Sequence, residues 1–70
     1  MSEIQTFLAY ILTQIQFVTR QPIEAESKNQ IVSILRSFFD YVTRWSHIMN
    51  PQIITTLTNY TDALLEKYKE

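Results

Sequence analysis

The chain of 70 residues contains no glycine. Tight β-hairpin turns and left-handed helix caps use glycine most, so its absence weighs against a fold built from hairpins. The sequence also lacks segments in which apolar and polar residues alternate, which is the pattern of a half-buried strand. Its apolar residues instead recur every three or four positions, the spacing of an amphipathic helix. The sequence therefore predicts an all-α fold.

Three helices are predicted within a single domain. Asn50–Pro51 is the clearest boundary, since asparagine is a favoured N-cap and proline a favoured first helical residue. The domain spans residues 1–70, with helices over residues 3–20, 22–49 and 51–69. The apolar stripe of the first helix consists of Ile4, Leu8, Ile11, Ile15 and Val18, widened by Phe7 and Leu12.

The start of the second helix has two candidates. Pro22 suits a first helical position, and Glu24 and Glu26 would then favour the positive end of the helix dipole. Ser27 followed by Gln30 instead matches a capping box, which would begin the helix later. We expect the earlier start, at residue 22.

Apolar residues cover more than half of the circumference of the second helix. This arc is wider than the ~100° stripe that a single partner helix needs. We therefore expect the second helix to be the longest, the most buried and the central one of the three, and to contact helices on two sides or a second subunit. Phe38 and Trp45, in the middle of the arc, are expected in the core. The central line is Ile31, Leu35, Phe38, Val42, Trp45 and Met49, flanked on one side by Ile34, Tyr41 and Ile48.

The short chain length predicts that an isolated copy is only marginally stable. A chain of 8.3 kDa buries about 60% of its unfolded surface, and chains this short usually rely on disulfides, a metal or oligomerisation. Cysteine is absent, and the one histidine, His47, cannot build a standard structural zinc site. We therefore expect an antiparallel three-helix bundle that is completed by a homodimer, a higher oligomer or another protein.

The first helix carries the surface that the sequence most favours for association. Residues 4–19 have no charge, and uncharged amides and hydroxyls are easier to cover with protein than charged groups are. Tyr10 and Phe17 are expected on the far side of this helix, an arrangement typical of interface centres. Alternatively, the third helix or the edge of the second covers them within one chain. The predicted interface residues are Tyr10, Phe17, Thr6 and Thr13, with Phe39 and Tyr41 at opposite edges of the second helix's apolar arc.

Composition and motifs argue against enzymatic chemistry. No nucleophile, base and acid can be assembled around His47. The Glu-x-x-His repeats of di-iron sites are missing, and a chain without glycine has no glycine-rich phosphate loop. We therefore expect no catalytic residue, cofactor, metal or small-molecule substrate. The sequence predicts a small non-enzymatic protein-binding module: a regulator, adaptor, chaperone or inhibitor.

Two other function classes remain open. A nucleic-acid-binding regulator would use Arg36, Arg44 and Lys28, although a net charge of −1 gives little attraction to phosphates. A peripheral membrane protein would insert the first helix edgewise, although basic residues are missing beside it. A membrane span is not expected, because residues 4–19 are shorter than the roughly 20 residues needed and include six Gln and Thr side chains. Without cysteine or a signal peptide, we expect a cytoplasmic location.

Overall fold

The computed structural model describes residues 3–68 as three helices joined by short connections. α1 spans Glu3–Arg20, α2 spans Ala25–Trp45 and α3 spans Pro51–Leu65, followed by a single 3-10 turn at Glu66–Tyr68. The described residues contain no β-strand, so the all-α prediction is confirmed, and the first helix has the predicted bounds. None of the described helices combines the length and the apolar character needed to cross a bilayer.

α2 begins at Ala25, and the predicted start at residue 22 is wrong. Pro22 lies in the connection, and Glu24 is the N-cap, with an extended backbone (φ −50°, ψ 138°) and no side-chain cap. The connection needs these residues to reverse the chain: Gln21 N–H donates to the Val18 carbonyl at 3.1 Å, and Ile23 N–H donates to the Gln21 carbonyl at 2.8 Å. A helix that began at Pro22 would leave almost no chain for this turn.

α2 ends at Trp45, four residues before the predicted end at 49. A residue before proline is disfavoured in the helical region, so the chain must leave the helix before Pro51. Asn50 is extended (φ −70°, ψ 130°), and its Oδ1 accepts the Gln52 N–H at 2.8 Å. The cap and the proline therefore start α3 as predicted, and residues 46–48 form a turn between the helices.

α3 is shorter than predicted. Its α-helix ends at Leu65 and tightens into the 3-10 turn, as helix C-termini often do. Lys67 Nζ lies 5.0 Å from the centre of the Tyr68 ring, within cation–π range. The predicted end at residue 69 lies outside the described residues.

α1 packs against both other helices, and more extensively against α2 than against α3. α2 is the longest helix, at 21 residues, but it is not the most buried, because each helix supplies three buried side chains. The expectation of a most-buried second helix is therefore wrong: α1 takes the position between the other two. The buried side chains are Phe7, Ile11, Val18, Ile31, Leu35, Val42, Ile54, Thr61 and Leu65.

The buried face of α1 is rotated from the predicted stripe. Leu12, expected beside the core, is 49% exposed, whereas Phe7, Ile11 and Val18 form the buried line, with the half-buried Gln14 at the matching position between them. At 100° per residue the shift is about 50°. It follows from the position of α1, which must turn one side to α2 and the other to α3.

Candidate functional site

A row of apolar side chains, two of them half-buried and three exposed, runs along α2 beside the residues that it buries against α1. The row has the four–three spacing of a helical contact surface and continues into the turn after α2. Tyr41, Trp45 and Ile48 are 44%, 47% and 69% exposed, which is unusual for three large apolar side chains on one line. We name this row the α2 stripe: Ile34, Phe38, Tyr41, Trp45 and Ile48.

α3 extends this surface at one edge. The rings of Phe38 and Tyr60 meet edge to face, with centroids 5.6 Å apart and planes at 75°. Aromatic quadrupoles favour this arrangement. Tyr60 remains 51% exposed, so the aromatic surface continues from α2 onto α3.

The exposed apolar area is large for a chain of this size. Tyr41, Trp45, Ile48 and Tyr60 each leave about half or more of their surface open, which amounts to on the order of 400 Å² at 150–250 Å² per aromatic residue. Apolar patches of ~300–600 Å² are the largest on typical monomers and are often functional. A single exposed residue such as Leu12 needs no such explanation.

The rim of the α2 stripe is nearly neutral. Arg44 Nε lies 3.1 Å from Asp40 Oδ2, and both side chains are largely exposed. The Ser37 hydroxyl donates to the Ser33 carbonyl at 2.9 Å. The rim therefore satisfies much of its polar capacity within its own helix, and its ion pair is too exposed to stabilise the fold by more than ~0.5 kcal/mol.

Tyr10, a predicted interface residue, instead lies where α1 contacts α3. It is half-buried against the core, and its hydroxyl donates to Asp62 Oδ1. Burial, the hydrogen bond to Asp62 and the negative charge of that carboxylate all raise the pKa of the Tyr10 hydroxyl. For Tyr10 the structure therefore agrees with the alternative given above, in which the third helix covers this side chain within one chain.

The other predicted residues of the first helix divide between core edge and surface. Phe17 is half-buried and packs against the core, so it does not stand on the far side of α1. Thr6 and Thr13 are exposed, and the Thr13 hydroxyl donates to the Ala9 carbonyl at 3.0 Å. Of these three residues, Thr6 and Thr13 are thus on the surface of α1 and Phe17 is at the edge of the core. A protein partner that binds there stays a prediction.

On α2, the structure separates the two predicted edge residues. Phe39 packs half-buried against the core, whereas Tyr41 belongs to the α2 stripe. Trp45 was expected in the core and is instead 47% exposed, so that prediction is wrong. The signal for the stripe was already present in the sequence, as a second four–three line that shares Phe38 and Trp45 with the line assigned to the core.

An open groove of about 430 Å³ lies between α1 and α3, because these two helices pack less closely than α1 and α2. The Thr58 hydroxyl donates to the Ile54 carbonyl at 2.9 Å, and the Tyr10 hydroxyl is bonded to Asp62. These two hydroxyl groups are already engaged within the chain. Its lining consists of Glu3, Thr6, Phe7, Tyr10, Ile54, Thr55, Thr58 and Asn59.

Residues 3–68 contain no group of three His, Cys, Asp or Glu side chains that could hold a metal ion. No protein-family model, curated protein or solved structure matches the chain. The functional argument therefore depends on the chemistry of the exposed surface.

Proposed function

We propose that this chain is a small protein-binding module without chemistry of its own, and that the α2 stripe is its binding surface. The observation that carries the proposal is the exposure of Tyr41, Trp45 and Ile48 along one line. Interface centres are enriched in tyrosine and tryptophan and depleted in charged residues, and the α2 stripe has this composition.

The energetics of covering the surface support a protein partner. Removing ~400 Å² of apolar surface from water contributes about 10 kcal/mol before the costs of association. Lost translational and rotational freedom opposes this by ~4 kcal/mol or more. The surplus fits a complex of moderate affinity, and a helix with its own apolar stripe has the matching shape.

A nucleic-acid-binding function has less support. Two of the three basic residues that would carry it already have partners: Lys28 Nζ donates to the Thr19 carbonyl at 3.1 Å, and Arg44 pairs with Asp40. Gripping a phosphate would break these contacts. The absence of cysteine favours a reducing compartment, and we propose the cytoplasm as the setting.

Affinity capture with matched variants tests the proposal. Immobilised wild-type chain should retain specific proteins from an extract of the organism that encodes it, and Trp45→Glu should lose them. A charge placed in the middle of an apolar contact is left without a partner and opposes binding. Leu12→Glu is the control, because Leu12 is as exposed as Trp45 (49% against 47%) but lies outside the stripe.

Both variants should keep the helical circular dichroism of the wild type, since neither residue belongs to the buried core. Retention of the same proteins by wild type and Trp45→Glu would show that the α2 stripe is not the binding surface. Loss of binding in Leu12→Glu and Trp45→Glu alike would point to a general effect of the added charge and would also contradict the proposal.

A further inference from the structure

We infer that the partner that covers the α2 stripe is a second copy of this chain, bound with its α2 antiparallel to the first. This inference rests on the proposed function, since it identifies the occupant of the same surface. Three features support it: the area left open, the order of side chains along the stripe, and the charge of the rim.

The chain exposes more surface than a compact monomer of its mass. Its accessible surface is 5006 Å², whereas about 4,600 Å² is expected for a monomer of 8.3 kDa. The excess of roughly 400 Å² equals the open surface of Tyr41, Trp45, Ile48 and Tyr60 on the scale of exposed aromatic side chains. Covering these four side chains would therefore bring each copy close to the expected surface.

The area also fits a small but stable dimer. Specific interfaces bury about 600–1,000 Å² on each partner. The four exposed side chains supply roughly half of this, on the areas typical of aromatic residues. The half-buried Ile34 and Phe38, together with rim residues such as Ser37 and Arg44, lie beside them and can supply the remainder.

The α2 stripe has the same order of side-chain types in both directions along the helix. Tyr41 is in the middle, Phe38 and Trp45 are the aromatic residues on each side of it, and Ile34 and Ile48 are at the ends. A two-fold interface needs a self-complementary surface. In an antiparallel register centred on Tyr41, Trp45 of one copy meets Phe38 of the other, and Ile48 meets Ile34. This register buries the whole stripe on both copies.

The charges of the rim allow two identical surfaces to approach. Arg44 is neutralised by Asp40 in the same helix, and a net charge of −1 gives little repulsion between copies. Antiparallel helices also place the positive end of each macrodipole beside the negative end of the other.

Light scattering after size exclusion tests the association. At about 100 µM, well above a micromolar Kd, the wild-type chain should give twice the 8.3 kDa mass of one copy. Trp45→Glu should raise the Kd at least ~30-fold, the effect typical of a central interface residue, and Leu12→Glu should leave it unchanged. The chain has a single tryptophan, so a shift of Trp45 fluorescence to longer wavelength on dilution reports the same equilibrium.

Single-cysteine variants test the register, because the natural chain has no cysteine. Tyr41→Cys lies at the two-fold axis and should form a disulfide-linked dimer under mild oxidation. Ile48→Cys lies in the turn beyond the end of α2. The four helical residues from Tyr41 to Trp45 alone already separate the two copies by ~12 Å along the helix, and a disulfide needs Cα atoms within about 7 Å. Cross-linking of Tyr41→Cys but not of Ile48→Cys is the expected result.

The outcomes separate this inference from the proposed function. A wild-type chain that stays at 8.3 kDa at about 100 µM, or a dimer that Trp45→Glu leaves intact, would overturn the second-copy inference. If capture of another protein still required Trp45 in that case, the proposed function would stand. Equal cross-linking of Tyr41→Cys and Ile48→Cys would overturn the antiparallel register.

Discussion

Gln14 has a buried side-chain oxygen that lacks a hydrogen-bond donor among the described residues. Its Oε1 is buried and accepts no hydrogen bond from any described residue, because the side chain occupies the position between Ile11 and Val18 on the buried line of α1. A buried acceptor without a donor costs about 1–3 kcal/mol. Replacing Gln14 by methionine should remove this cost, since methionine has a similar length and adapts its shape to its surroundings.

The expected gain is a large part of the total stability. A chain of 70 residues has a free energy of unfolding of about 4–10 kcal/mol at 0.05–0.15 kcal/mol per residue. Gln14→Met should therefore raise the free energy of unfolding by about 1–3 kcal/mol and the Tm by at least ~4 °C, at ~4–8 °C per kcal/mol for a domain of this size. Glutamine and methionine have nearly equal helix propensities, so propensity contributes little to the difference.

Urea unfolding followed by circular dichroism is the suitable assay, with all variants at one protein concentration because self-association would add to the apparent stability. Gln16→Met is the control: Gln16 is exposed on the same helix, and such substitutions usually change stability by no more than ~0.5 kcal/mol. The urea midpoint should rise for Gln14→Met alone, with an unchanged slope. A Gln14→Met chain no more stable than Gln16→Met would refute the reasoning, because the Gln14 amide would then contribute as much as the apolar contacts that replace it.

Two further predictions concern single side-chain contacts. Since the pKa of Tyr10 is raised in the folded state, the unfolded chain loses this proton first, and the stabilising contribution of Tyr10 should be constant below pH ~10 and fall above it. The urea midpoints of wild type and Tyr10→Phe should therefore differ by a constant amount below pH ~10 and approach each other as the pH rises further, and a difference that stays constant above pH ~10 would contradict this. Asn50→Ala removes the acceptor of the Gln52 N–H at the start of α3 and should lower the free energy of unfolding by about 1 kcal/mol, whereas Asn50→Asp should retain most of the stability. Thermal unfolding of both variants measures the difference, and equal losses of stability would show that the side-chain cap is not the cause.

Helix starts and the fold class could be predicted where a local signal determines them. Asn50–Pro51 combines a cap with a residue that fits only the first turn, and the structure uses both as expected. The ends of α2 could not be predicted in the same way, because they depend on how much chain is needed to reverse direction between packed helices. Pro22 is compatible both with a first helical turn and with an extended connection.

The rotation of α1 could not be predicted from polarity. A hydrophobicity pattern places Leu12 inside and Gln14 outside, whereas the structure exposes Leu12 and buries the Oε1 atom of Gln14. The orientation is determined by the two helices that α1 must contact at once, and this information is distributed over the whole chain. The same limit applies to the candidate site: two apolar lines on α2 share Phe38 and Trp45, and only the position of α1 decides which line is buried.

The place of α1 between α2 and α3 has a consequence for synthesis. α1 and α2 are made first, and their contacts join neighbouring helices, the kind that forms within microseconds to milliseconds. The α1 face that carries Phe7 and Tyr10 stays open until α3 arrives. At 5–20 residues per second, the residues from Pro51 to Tyr68 take about 1–4 s to make. For that time the nascent chain exposes an apolar face that the finished protein covers, which makes this interval the one in which it most needs protection from aggregation.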